Sequence, residues 1–141
     1  MRLSSLASAR PAYYDRNAIG GRQRYSNTVG PHAQTTRWTV TVAAGKKCFV
    51  EQAAVRISTS TLPTGGGLVG AGVDTYDGTT YTTTAYSQFT SSTTTLQYGL
   101  NVCPTIPTVY AGESVLAYTV DLGTGGTVQY VADTKYTIFD A

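Results

Sequence analysis

The chain has 141 residues, of which 41% are apolar, 11% aromatic and 13% charged, with a formal charge of +2; an average soluble domain is roughly 25% charged. The length suits one domain, and 25 Thr, 15 Gly and 11 Tyr against a single Met, Trp and His exclude the Ala/Leu/Glu/Lys-rich composition of a helical bundle. High net charge with low hydrophobicity, the mark of disorder, is absent, and no apolar run reaches the roughly 18 residues of a membrane helix.

The charge is unevenly placed. Residues 1–37 contain Arg2, Arg10, Arg16, Arg22, Arg24 and Arg37 against Asp15, a local +5, while residues 38–141 hold four Lys/Arg against seven acids, a local −3. Arg10-Pro11, Gly20-Gly21 and Gly30-Pro31 punctuate the first segment, which shows no sustained period of 2 or 3.6. It is therefore expected to be an extended arm whose tyrosines and arginines contact something anionic, with a solvated tail as the alternative. Extended, the arm could span about 120 Å, and its removal is expected to leave a folded domain at residues 38–141. Leu3 and Leu6 among serines fall short of the roughly 7–15 apolar residues of an export signal. Synthesis in a cytoplasm is expected from that, with Cys48 and Cys103 as free, buried thiols.

From Trp38 the pattern changes. Trp38, Val40 and Val42 alternate with Thr39, Thr41 and Ala43 as in a half-buried strand. Ala44–Lys47 reads as a turn, and residues 48–58 fit a strand or a short helix, with Val50, Val55 and Ile57 favouring the strand; residues 38–58 are expected to form a hairpin. Gly65, Gly67 and Gly70 spell GxGxxG, but a pyrophosphate loop needs a helix to follow, and Tyr76-Asp77-Gly78-Thr79 reads instead as a type I′ hairpin turn. Residues 75–95 hold ten threonines and read as sheet with a wet face. Further strands are expected at 93–102 and 106–110, bounded by Pro104 and Pro107. In 115–122, Leu116, Tyr118, Val120 and Leu122 share one face. In the last strand Val128, Tyr130, Ala132, Thr134, Tyr136 and Ile138 lie on one side. About seven or eight strands with Gly-rich turns predict an all-β fold, a jelly-roll-like sandwich or barrel.

Little points to catalysis. The single histidine, His32, falls in the arm, away from any Ser or Cys it would activate. The acids Glu51, Asp74, Asp77, Glu113, Asp121, Asp133 and Asp140 form no spacing suited to a glycosidase pair or to a Ca²⁺ loop, and two cysteines with one histidine make no zinc pattern. No enzyme activity, cofactor, metal or small-molecule substrate is expected. Six arginines spread over 37 residues are too dilute for nucleic-acid binding as the main function.

The Arg/Tyr segment Arg10-Pro-Ala-Tyr-Tyr-Asp-Arg16, the strand and turn Trp38-Thr-Val-Thr-Val-Ala-Ala-Gly-Lys-Lys47, and the terminal Gly-Gly-Thr-Val-Gln-Tyr strand closing on Phe139-Asp140-Ala141 give the chain its resemblance. Together with the Met1 start they resemble a small tailed-bacteriophage capsid decoration, or cement, protein. The resemblance implies a homotrimer on the outer face of an icosahedral head, bound to the major capsid protein and placed on the virion surface. It also implies arm contacts, which fall on Arg10, Tyr13, Tyr14, Arg16, Arg22, Arg24 and Tyr25. The alternative is a tail, fibre or glycan-binding receptor module.

Overall fold

The structure, a computed structural model, describes residues 18–61, 63–91, 98–102 and 108–141. The described elements are all strands: β1 (Ile19–Val29), β2 (His32–Thr41), β3 (Lys46–Thr61), β4 (Leu68–Tyr76), β5 (Tyr81–Thr90), β6 (Tyr98–Val102), β7 (Thr108–Tyr110), β8 (Ser114–Asp121) and β9 (Thr127–Asp140). They form two antiparallel sheets, one in the order β1-β9-β3-β6 with β7 also on β3, the other in the order β2-β8-β4-β5. Here they are called the first and second sheet.

β6 pairs with Ala54–Ser58 and β7 with Lys47–Phe49, on the same flank of β3. They are two halves of one strand position, and residues 103–107 between them, with Pro104 and Pro107, lie outside the described part. Eight strand positions therefore divide four and four. Successive positions alternate between the sheets except for the β4–β5 hairpin, which is the strand order of a jelly roll. The expected all-β sandwich is thus observed.

The arm expectation is corrected for residues 19–37. β1 runs along most of β9, from Ile19↔Ile138 to Val29↔Val128, and β2 pairs with β8 from His32↔Asp121 to Thr41↔Ser114. The boundary expected after residue 37 falls inside β2. Two features hide these strands from a periodicity search. The inward residues of β1 mix Gly21 and Gln23 with Tyr25 and Val29, so no unbroken apolar alternation marks it. In β2 the register shifts between Thr36 and Trp38, and a bulge breaks the period of 2, so the apolar alternation starts only at Trp38. Residues 1–17 lie outside the described part.

The hairpin expected over 38–58 is also corrected. β2 and β3 are consecutive but lie in different sheets, and the turn closed by the Lys46 N–H on the Ala43 carbonyl, 3.1 Å, carries the chain across the sandwich. The strand-or-helix ambiguity of residues 48–58 has a similar cause. Cys48 and Val50 point inward, the register shifts between Val50 and Gln52, and Ala53, Val55 and Ile57 then point inward. The β4–β5 hairpin is present, but its loop is longer than the expected two-residue turn. The Asp77 Oδ1 accepts from the Thr79 and Thr80 N–H groups at 2.8 and 2.7 Å, and Gly78 takes φ +99°. These two backbone donors hold the Asp77 carboxyl below its ordinary value.

The core is small and β-branched. Cys48, Val50, Ala53, Val55, Ile57, Val128, Tyr130 and Ala132 from the first sheet meet Val69, Ala71, Val73, Ala85, Phe89, Val115 and Ala117 from the second. Cys48 is a free, fully buried thiol whose pKa burial pushes up to about 11; Cys103 lies outside the described residues.

Candidate functional site

β1 is the outermost strand of the first sheet among the described residues, pairing only with β9. An unpaired strand edge exposes a row of N–H and C=O groups and is a ready contact surface unless charged or covered. Here the outward residues include Arg22 and Arg24, both half exposed. Across the ladder they meet Lys135 and Asp133. Arg22 grips Asp133 through both guanidinium arms, Nε on Oδ1 at 2.8 Å and Nη2 on Oδ2, and Arg24 Nη1 lies 3.9 Å from the same Oδ2. The Arg22 hydrogen bond holds the Asp133 carboxyl below its usual range. One carboxylate thus serves two guanidinium groups, and the outward surface of β1 keeps a net positive charge.

At the end of this face Thr28, Ser58, Thr59, Thr127 and Gln129 line an open, uncharged depression of about 330 Å³. Ser58 Oγ donates to Gln129 Oε1 at 3.3 Å and Thr59 Oγ1 to the Thr127 carbonyl at 2.6 Å, so much of its polar lining is already paired within the sheet.

The other predicted contact residues divide. Arg10, Tyr13, Tyr14 and Arg16 lie outside the described residues. Tyr25 faces inward opposite Ala132, packs against the core and has a buried hydroxyl, while the Arg37 guanidinium sits 4.8 Å above its ring. Gly21 is what lets β1 lie close here, because a Cβ at that position would overlap the Tyr136 ring.

His32, expected on a loop of the arm, lies instead on the scaffold between the sheets. Its Nδ1 is 2.8 Å from the Gly30 carbonyl, its Nε2 2.8 Å from Thr119 Oγ1, and its ring meets Tyr130 edge-on at 5.7 Å. The Gly30 oxygen only accepts, so the proton is assigned to Nδ1. Arg37 Nε donates to Thr119 Oγ1 at 2.9 Å, leaving the hydroxyl hydrogen for His32 Nε2. This chain of donors ties β2 to β8 at the end of the sandwich where β1 passes into β2, the end opposite Ile19. Burial pushes the Tyr130 phenol well above its ordinary value, and Asp121 adds to the shift.

Among the described residues no three His, Cys, Asp or Glu side chains gather as a metal site. The GxGxxG glycines form the loop into β4 and its first residues: Gly65 and Gly66 take φ of +95° and +76°, and Gly67 lies against the Leu122 carbonyl.

No family model matches the chain, and no curated protein matches it in sequence. Solved structures do show partial likenesses. An arabinose-bound α-L-arabinofuranosidase, MgGH51, is 12% identical with a TM-score of 0.33, over 86% of this chain and 23% of that one. The infectious bursal disease virus Gx strain structure is 12% identical with a TM-score of 0.27, over 90% of this chain and 43% of that one. The VP2 subviral particle of the same virus is 13% identical with a TM-score of 0.29, over 89% and 42%. The chain spans less than half of each of these structures.

Proposed function

We propose that the chain is a virion structural protein that decorates an icosahedral capsid, acting as a cement subunit on its outer face. Its partners are the major capsid protein and sister copies in a trimer, and its contacts run through Arg10, Tyr13, Tyr14 and Arg16 into Arg22 and Arg24 on β1. Tyr25 serves this set from inside by fixing β1 to the sandwich. One observation carries the reading: the basic N-terminal residues lead directly into an outermost strand whose outward arginines share a single carboxylate. A partner surface rich in carboxylates would find cationic side chains on a rigid strand next to an arm that adds contacts by avidity.

Co-sedimentation with preformed heads tests it. The quadruple variant Arg10→Ala, Arg16→Ala, Arg22→Ala, Arg24→Ala is expected to bind at least tenfold more weakly than wild type, with wild-type binding weakened by added salt. Unchanged affinity would sink the proposal.

A second reading follows from the completeness of the eight-position jelly roll, an architecture also used by shell-forming subunits. Sedimentation of the chain alone separates the two: a trimer fits decoration, and closed particles fit a shell subunit.

A further inference from the structure

The larger apolar side chains of β8 point away from the core. Val115, Ala117, Thr119 and Asp121 face inward, while Leu116, Tyr118 and Val120 face outward and pair across to Asp74, Gly72 and Gly70 of β4. Leu116 and Val120 are covered there without belonging to the core cluster between the sheets.

The two glycines shape this outward face of the second sheet. A Cβ on Gly72 would come within 2.6 Å of the Tyr118 ring, so the ring occupies the place of that side chain. Gly70, which no ring covers in this way, floors a depression of about 90 Å³ bordered by Gln34, Leu68, Tyr86, Gln88 and Tyr118. Tyr86 is 50% exposed, and no charged side chain lines the depression. Further along the same face Asp74 is 7% exposed, and its Oδ1 has no hydrogen-bond partner.

We propose that this depression binds a neutral saccharide, one ring resting on the tyrosines with its hydroxyls on the Gln34 and Gln88 amides. A sugar ring has an apolar C–H face and a rim of vicinal hydroxyls. The aromatic π face, negative at its centre, suits the first, and a side-chain amide, with two donors and an acceptor, suits the second. An anionic ligand would find no cation in the lining. An apolar helix laid here would desolvate two amides without replacing their hydrogen bonds. A few polar groups converging on an apolar, aromatic floor is the usual build of a small-ligand site. The inference does not depend on the capsid reading, which uses the opposite sheet.

The test titrates the full chain with neutral hexasaccharides of glucose, mannose and galactose, and with a hexasaccharide of galacturonic acid as the anionic control. Saturable binding of at least one neutral probe and none of the anionic one is expected. Tyr86→Ala, which removes an exposed ring, should weaken that binding at least tenfold. So should Gly70→Ala, whose Cβ would fill the floor yet stand at ordinary contact distances, 3.4 Å from Gln88 Cβ and the Ser87 carbonyl and 3.7 Å from Val120 Cγ1. Wild-type unfolding curves for both variants would exclude a folding defect. The proposal is overturned if no neutral probe binds, if the anionic probe binds as well, or if both variants bind as wild type does. It is also overturned if Tyr86→Ala abolishes co-sedimentation with heads while saccharide binding stays absent, which would make this face a protein contact.

Discussion

Asp74 shows how far a single residue can depart from what its sequence neighbourhood implies. Next to the Tyr76-Asp77-Gly78 turn it reads as a loop acid, yet it lies in β4 with one oxygen unpaired and its carboxyl pushed up by burial, an effect only partly offset by the Thr83 hydrogen bond. A carboxyl whose pKa is raised on folding binds more protons in the native state than in the unfolded one. Stability then falls as pH rises from the unfolded value, near 3.8, through the higher native one. Asp74→Asn is expected to remove that fall and to be no less stable than wild type at pH 7, as read by urea unfolding across pH 3–8. A loss above about 1 kcal/mol with the pH slope unchanged would mean that the carboxylate is a structural partner instead. Asp133 has the opposite sign: the Arg22 hydrogen bond lowers its pKa, so its contribution is present above the unfolded value and is lost in acid.

At the scale of the element, bulges decided what was legible. Period-2 alternation identified β9 and the second half of β2 because no irregularity interrupts them, and it faltered at Arg37 and Glu51, where an extra residue moves the inward set from one parity to the other. A bulge is set by the partner strand and by local bonds such as that of the Thr137 hydroxyl to Glu51 Oε1, at 2.6 Å, so one strand's sequence does not announce it. Glycines can be sorted in the same way. At Gly67 a Cβ would overlap the Leu122 carbonyl, while at Gly20 nothing lies within 4 Å. Gly67→Ala should therefore cost about 3 kcal/mol, and Gly20→Ala should stay within about 0.5 kcal/mol of wild type. Chemical denaturation would check both, with equal costs at the two sites counting against the close approach.

For the whole molecule, the central position of β9 has a consequence for truncation. A chain starting at residue 18 keeps every described strand and should unfold with the cooperativity of the full protein. A chain starting at residue 37 loses β1 and half of β2, which strips one flank from β9 and uncovers the buried Tyr130 and Ala132. It is expected to lose its cooperative transition and to aggregate through the new edges. Circular dichroism during thermal unfolding distinguishes the two, and a cooperative transition in the shorter chain would restore the arm to its full expected length. The charge argument narrows accordingly. Arg37 is engaged within the fold and Arg22 and Arg24 share one carboxylate on the exposed edge, which leaves Arg2, Arg10 and Arg16 against Asp15 in the residues before it.

Composition and alternation were enough to determine an all-β fold, the inward face of β9 and the hairpin at Asp77-Gly78, because these depend on local turn chemistry and on which side chains share a face. Whether the strands close as a sandwich or a barrel was left to the tertiary structure. Alternation states that Leu116, Tyr118, Val120 and Leu122 lie together, but it does not say which face is turned to the core. The tertiary structure decided that, and with it the candidate saccharide surface, because the side of a strand that is buried depends on the sheet packed against it. It also brought β1 and β2 into the sandwich, since pairing with β9 and β8 supplies backbone hydrogen bonds that their mixed polar and apolar side chains do not reveal.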